Sequence, residues 1–307
     1  MLVSCIIPTL NEEEQIGFLI DTIFKQDYRP VEVLVVDGGS KDRTKEIVSE
    51  KRRELNSEKF NIKILFENDF GKISSPANAR NIGIGQSAAD YLILLDADIF
   101  FIEKDSLRKV KAKLDEVRFC CVRTKPIIDS ELEYQIALGD IWHVSLCAFR
   151  KEVFINHRFN PELGLGEDED FWFRSGVNFS NVCETTLGRH FPHTVEEYKK
   201  QQIWYGKSYL NYMKIIIKEQ RHLFWKFFRI LVKNTFYLFI PILLIITIFF
   251  SRALFLFFIS LLLATFLFGL YKSPEKNAKR LFFLIWRSFF EARYFMQGLT
   301  LGLKRHV

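Results

Sequence analysis

The chain has 307 residues, a formal net charge of +6, and a composition that is 49% hydrophobic and 15% aromatic. That length accommodates one large domain, or one of about 200 residues with an appendage. The modest charge, with no dense Lys/Arg run beside an aromatic platform, excludes a nucleic-acid binder and suits a surface facing anionic lipid.

Leu2–Ile7 is strand-like from the outset, so no signal peptide is expected. Val3–Ile7, Val31–Val36, Ile62–Phe66 and Tyr91–Leu95 are apolar runs of strand length, with helical patterns near 13–25, 42–55, 77–86 and 104–116. This alternation over residues 1–118 predicts an α/β fold of βαβ units, with a mainly parallel sheet and helices on both faces. Asn11, with Glu14 three residues on, has the spacing of an N-cap and capping box. From 119 to 193 short strands and loops follow, including Gly164-Leu-Gly166, the type of loop content that carries a second substrate. Five cysteines (5, 120, 121, 147, 183) have neither C-x-x-C nor Cys/His zinc spacing and read as buried apolar residues in a reducing compartment.

Residues 195–230 are helical and amphipathic in pattern, with Tyr198, Gln202, Tyr205, Tyr209, Tyr212 and Ile216 recurring at three-to-four spacing. The stripe suits either the headgroup level of a bilayer or packing on the protein itself. Thr235–Tyr271 is almost wholly apolar, interrupted by Ser251-Arg252. As one helix it would be roughly 55 Å long, against a hydrocarbon core of about 30 Å. Two spans meeting at Ser251-Arg252 are therefore expected. Lys226, Arg229 and Lys233 before this hairpin, and Lys272, Lys276, Lys279 and Arg280 after it, place both ends in the cytoplasm. Its scarcity of polar residues excludes a pore or transporter. Leu281–Leu303 carries Arg287, Glu291 and Arg293 and is expected to lie in the interface, with Arg287 and Glu291 paired on one face. The expected organisation is 1–193 for the α/β domain, 194–233 for an amphipathic linker, 234–271 for the transmembrane hairpin and 272–307 for an amphipathic C-terminal helix.

The fourth apolar run ends in Asp96-Ala-Asp98. Carboxylates at a buried strand's exit stand where open α/β sheets bind ligands, and as hard oxygen donors they suit Mg²⁺ or Mn²⁺ beside phosphate; a turn with a capping Asp is the plainer alternative. Asp37 leaves the second strand followed by Gly38 and Gly39, which permit positive φ and close approach of a ligand to the backbone. Its carboxylate suits hydrogen bonds from a base or ribose, while Ser40 suits the N-cap of a helix opening at Asp42. Arg80 is either a positive fork for a diphosphate or a structural ion pair. Glu167-Asp-Glu-Asp170 is either an acidic helix start or the seat of a general base, and like-charge crowding there raises at least one pKa. The first strand ends in Pro8-Thr-Leu-Asn-Glu12, without the G-x-G-x-x-G turn of a dinucleotide-dependent oxidoreductase, which excludes that class.

In order and spacing, Pro8–Glu12, Asp37–Asp42, Ala79-Arg-Asn-Ile-Gly83, Asp96-Ala-Asp98 and Gly164–Asp170 resemble the inverting glycosyltransferase family 2, over roughly residues 2–210. The resemblance implies a GT-A nucleotide-sugar-binding fold in which Pro8, Thr9, Asn11, Glu12 and Asp37 line the nucleoside pocket. It implies Arg80 at the diphosphate, Asp96 at the ribose or a metal-bound water, and Asp98 as ligand of Mg²⁺ or Mn²⁺. A histidine of Gly188-Arg-His-Phe-Pro-His193 completes that site, His190 being preferred to His193. The base maps to Asp168, with Asp170 as second choice and Glu167 oriented to the acceptor. Where processive polysaccharide synthases of this family carry Gln-x-x-Arg-Trp, this chain has Gln201-Gln-Ile-Trp-Tyr-Gly206, with Trp204 in place of the arginine. That departure favours transfer of a single sugar and leaves Trp204 to stack on an acceptor. The expected function is a membrane-anchored, metal-assisted inverting transferase, taking a nucleoside-diphosphate sugar and a lipid-linked or polyprenyl acceptor at the cytoplasmic face of the bilayer. A processive polysaccharide synthase and a catalytically silent nucleotide-sugar-binding adaptor are the alternatives.

Overall fold

A computed structural model describes residues 1–71, 73–126, 147–177, 181–190, 194–219, 228–229, 231–232, 234–235 and 278–303. These residues divide into two compact units, one ending at 190 and one beginning at 194.

The first unit is built on an eight-stranded sheet. Strands β1 (Val3–Thr9), β2 (Val31–Asp37), β3 (Phe60–Phe66) and β4 (Tyr91–Leu94) are parallel to one another. Beyond them lie β5 (Ile99–Phe101), β6 (Phe119–Pro126), β7 (Cys147–Arg150) and β8 (Val182–Arg189), in the overall order β3-β2-β1-β4-β7-β6-β8-β5. The β4–β7, β6–β7 and β5–β8 pairs are antiparallel, so the sheet is mixed. Helices α1 (Ile16–Phe24), α2 (Thr44–Leu55), α3 (Pro76–Gln86), α4 (Ser106–Glu116) and α5 (Glu167–Ser175) complete the unit.

Every residue of β2 is buried, which is why the sequence there is apolar on both faces apart from Glu32 and the closing Asp37. Successive side chains feed two cores. Val3, Cys5 and Ile7 of β1 pack with α1, α2 and α4 through Ile16, Leu19, Val48 and Leu107. Ile6 of the same strand points the other way, to Ala77 and Ile84 of α3 and to a phenylalanine cluster that includes Phe149, Phe159 and Phe171. The five cysteines are free and buried, as their spacing suggested.

Two helix starts differ from the sequence expectation. Helix α1 begins at Ile16 after Gln15, with no side-chain cap. Asn11 is not its N-cap: it sits at φ 59°, and its side chain bonds across to the next loop. Helix α2 begins at Thr44, so Ser40 is not a cap either; it is buried and receives the Asn11 N–H.

The second unit pairs α6 (Val195–Glu219) with α7 (Ala278–Leu303). Tyr198, Gln202, Tyr209 and Tyr212 are buried, with Tyr198 stacked on Phe290 and Tyr209 edge-on to Phe295. Packing on the protein itself, not a headgroup belt, therefore explains this part of the stripe. Arg287 and Glu291 pair at 2.6 Å as expected, and the Tyr198 hydroxyl donates to the same carboxylate. The helices approach at two glycines: a Cβ on Gly206 would lie 2.0 Å from the Phe295 carbonyl, and one on Gly298 2.0 Å from that of Ile203. Among the described residues no helix is long and apolar enough to cross a membrane, and the hairpin expected over 234–271 lies outside them apart from 234–235.

Candidate active site

The parallel strands deliver their carboxyl ends to one edge of the sheet, and the loops after β1 and β2 are laced together there. Thr9, buried at the end of β1, accepts the Gly38 N–H on its carbonyl. Asn11 N–H donates to Ser40 Oγ at 2.9 Å, and Lys41 N–H returns to Asn11 Oδ1 at 2.9 Å. Glu12 N–H bonds Thr44 Oγ1 at 2.8 Å, while Arg43 N–H bonds the Glu13 carboxylate. Asp37 is buried with its carboxylate turned into its own loop, accepting the N–H groups of Gly39 and Ser40. Gly39 adopts φ 98°, the conformation expected of one of this glycine pair. Pro8, Thr9, Asn11, Glu12 and Asp37 thus occupy one continuous piece of structure.

Helix α3 organises the other half. Ser75 caps it, accepting the Asn78 N–H, with Pro76 in the first turn. Asn81 holds Phe159 by both backbone groups, donating to its carbonyl at 2.8 Å and accepting its N–H at 3.1 Å. Gly83 lies against Ile6, where a Cβ would come within 2.4 Å of a methyl carbon. Arg80 is buried between two acids. One arm reaches Asp96 Oδ1 at 2.9 Å and the other Glu167 Oε1 at 2.7 Å. Of the two readings of Arg80, the geometry has the ion pair. Burial works against the Arg80 charge, but Asp96 and Glu167 outweigh it, so its pKa is raised.

Helix α5 opens with Glu167, Asp168, Glu169 and Asp170 after Gly166, and an acidic first turn suits the positive end of a helix. The four acids have separate fates. Glu167 is buried on Arg80; burial raises its pKa, with Arg80 pulling the other way. Asp168 stays partly exposed and accepts the Glu169 N–H. Asp170 is 1% exposed and gripped by Arg174 at 2.6 Å. Asp170, the second choice for a base, is thus held in a buried ion pair within its own helix.

Asp98 and His190 are 92 residues apart in sequence but adjacent in space, because β5 and β8 pair with Ile99 opposite Arg189. His190 N–H donates to the Asp98 carbonyl at 2.9 Å, and Arg189 Nε meets the Asp98 carboxylate at 3.0 Å. The imidazole lies 4.6 Å from the Phe100 ring. His193 lies outside the described residues. Trp204 is 40% exposed on α6, in the second unit.

Charge joins these parts. Glu12 is pushed up to about 8, first by burial and then by the negative charges of Asp98, Asp96, Asp42 and Glu14. The donor chemistry fits a hard divalent cation: Asp96 and Asp98 are partly exposed oxygen donors whose negative charges both reach Glu12, although each carboxylate also meets an arginine, Arg80 and Arg189 respectively. Among the described residues, no group of three or more His, Cys, Asp or Glu side chains is itself arranged as a metal cage.

Sequence reasoning missed Glu67. It directly follows β3, opening a 3-10 turn over Glu67–Asp69, and is 3% exposed; it accepts from Ser74 Oγ at 2.8 Å, Asn78 Nδ2 at 2.9 Å and Ser75 N–H at 3.3 Å. The only sequence signal was an acid closing an apolar run, as Asp37 does.

A mixed α/β sheet with acids gathered at its parallel-strand exits is the architecture of a GT-A-like domain. The chain belongs to the family described as Glycosyl transferase family 2, whose profile matches residues 4–180. It is 34% identical over 118 residues to the poly(ribitol-phosphate) beta-N-acetylglucosaminyltransferase TarS of Staphylococcus aureus, covering 38% of this chain and 19% of that protein. It is 36% identical over 100 residues to an undecaprenyl-phosphate 4-deoxy-4-formamido-L-arabinose transferase of Pectobacterium carotovorum, covering 32% of this chain and 29% of the relative. Each match thus spans less than a third of the relative's length. Among solved structures, the mannosyltransferase PcManGT of Pyrobaculum calidifontis, in complex with GDP-Man and Mn²⁺, aligns at a TM-score of 0.62 and 19% identity, covering 98% of this chain and 86% of that one. Residues 1–349 of TarS with UDP-GlcNAc align at 0.51 and 19%, covering 69% and 66%. These structural likenesses establish the fold.

Proposed function

We propose that this chain is a membrane-anchored inverting glycosyltransferase that moves one sugar from a nucleoside-diphosphate donor to a lipid-linked or membrane-surface acceptor on the cytoplasmic side. The observation that carries this reading is Arg80, which holds the Asp96 end of β4 against the Glu167 start of α5 and so brings Asp168 beside the acidic strand exit. Family membership and the names of the relatives agree with it. One relative is named for undecaprenyl phosphate, and two solved neighbours were determined with nucleotide sugars.

In this reading the laced loops bearing Pro8, Thr9, Asn11, Glu12 and Asp37 hold the nucleoside, and Asp168 takes the proton of an acceptor hydroxyl. As that oxygen bonds to the anomeric carbon, the bond from this carbon to the diphosphate oxygen breaks, and the nucleoside diphosphate leaves with the electron pair. Attack opposite the leaving group inverts the centre. Asp98, Asp96 and His190 would hold Mg²⁺ or Mn²⁺, which when bound offsets negative charge on the departing diphosphate. An already ionised lipid phosphate acceptor needs no base, and Asp168 would then orient it.

The test is a donor screen that follows nucleoside diphosphate release with and without polyprenyl phosphate or glycolipid. Acceptor-dependent release, lost in Asp98→Ala, is expected. Release that ignores every acceptor, or that survives the substitution, removes the assignment.

A further inference from the structure

Two glutamates of the sheet are buried to the same degree and bonded to the same extent, yet only one stands at the site. Glu32 and Glu67 are each 3% exposed. Glu32, near the start of β2, receives Ser4 Oγ at 2.6 Å, Lys63 Nζ at 2.7 Å and the Ala88 N–H at 3.2 Å. Ser4 and Ala88 lie at the amino ends of β1 and β4 and Lys63 midway along β3, all away from the ligand edge. Glu67 lies at the carboxyl end of β3, opposite Asp37 in the ladder through its neighbour Phe66.

The Glu67 carboxylate is wedged between two functional pieces. On one side it backs the donor loop: a Cβ on Gly38 would come within 3.0 Å of Glu67 Oε2, and Ser74, which bonds Glu67, also lies 3.5 Å from the Gly38 carbonyl. On the other side it gathers Ser74, the N-cap Ser75 and Asn78 of the first turn, the start of α3. Ser75 in turn donates to the Pro161 carbonyl, in the segment that leads to α5.

We infer that Glu67 is a positioning residue for the donor, a buried strut that sets the height of the Gly38 turn over which the nucleoside lies. The inference rests on the reading of this edge as a nucleotide-sugar site. It goes beyond that reading by assigning donor affinity to a side chain that touches no substrate. Because Arg80 separately holds Asp96 and Glu167, removing Glu67 disturbs donor binding and leaves the acid end of the site in place.

Glu67→Ala removes the acceptor for three donors, whereas Glu67→Gln keeps the shape. In the amide, Oε1 still accepts from Asn78 and Ser75, and Nε2 donates to Ser74 Oγ. Titration of the purified full chain with UDP and with GDP, each with Mn²⁺, reads the effect directly. For whichever nucleotide the unsubstituted chain binds, Glu67→Ala is expected to raise Kd and the donor KM by about tenfold, the scale of one hydrogen bond, with kcat within about threefold. Glu67→Gln should restore most of the affinity. Glu32→Ala serves as the control, losing comparable stability with Kd unmoved. Equal weakening of binding by both alanine variants, unchanged binding in Glu67→Ala, or a loss confined to kcat would each overturn the inference while leaving the transferase reading intact. Failure of the unsubstituted chain to bind either nucleotide would overturn both.

Discussion

Arg80 of α3 meets Asp96, two residues beyond the end of β4, at 2.9 Å, and the same guanidinium reaches Glu167 at 2.7 Å. A planar fork with fixed donor directions spans two carboxylates in a way that a single ammonium does not. This one side chain decides how far the strand exit stands from the acidic start of α5.

Arg80→Ala is therefore expected to lower unfolding free energy by about 3–5 kcal/mol, because it leaves Glu167 buried without its counter-ion. Arg80→Lys should recover only part of that. Urea denaturation of the two variants checks the order, and a lysine variant as stable as the parent would show that the fork is not needed.

Two acids in one helical turn should behave oppositely. Asp168→Asn is expected to reduce kcat by about 10²–10⁴-fold with little change in stability. Asp170→Asn, which weakens a buried pair with Arg174, should cost about 1–3 kcal/mol of stability and leave kcat nearly intact. Thermal denaturation and steady-state rates on the same preparations separate them, and the reverse pattern would move the base to Asp170.

Glu12 makes the metal-free protein sensitive to pH. Its carboxyl ionises at its ordinary 4.5 in the unfolded chain and about 8 in the folded one, so over that interval the folded state keeps a proton that the unfolded state has released. Stability then falls as pH rises from about 4.5 to about 8 and levels off above. Glu12→Gln should flatten this slope and exceed the parent in stability above pH 8, as read from urea midpoints across the range.

The α6–α7 contact tolerates no added methyl. Gly206→Ala would place a carbon 2.0 Å from the Phe295 carbonyl, so the helices must separate, at a cost of about 1–3 kcal/mol. Faster proteolysis within these helices is the expected readout. Gly298→Ala should do the same, and the double variant should lose less than the sum, since one displacement relieves both clashes.

The apolar stretch over 235–271 should keep the full chain in the membrane pellet through alkaline carbonate washing. Release into the supernatant would remove the hairpin from the proposed function.

Much of this was legible because it is local. Val31–Asp37 declared itself by a largely apolar run closed by an acid, and the Arg287–Glu291 pair by its spacing of four. What escaped depends on partners far along the chain. Asn11 has the composition of a cap, but its side chain serves Lys41 thirty positions away, and the helix starts later. The tyrosine stripe of α6 was periodic enough to identify a buried face, yet nothing within it named α7, some 80 residues on, as what covers it. Arg80 carried two readings because only folding reveals which acids reach it. Asp170 is different: Arg174 lies four residues later on the same helix, and that signal was available.

The loops after β1 and β2 are stitched to each other through Asn11, Ser40, Lys41 and Thr44. If these loops hold the nucleoside as proposed, it would meet a floor already set, and little chain freedom would be surrendered on docking. Changes in donor preference are then expected to arise from altered contours on a rigid bed, and swapping these two segments between relatives should succeed only when both travel as a unit.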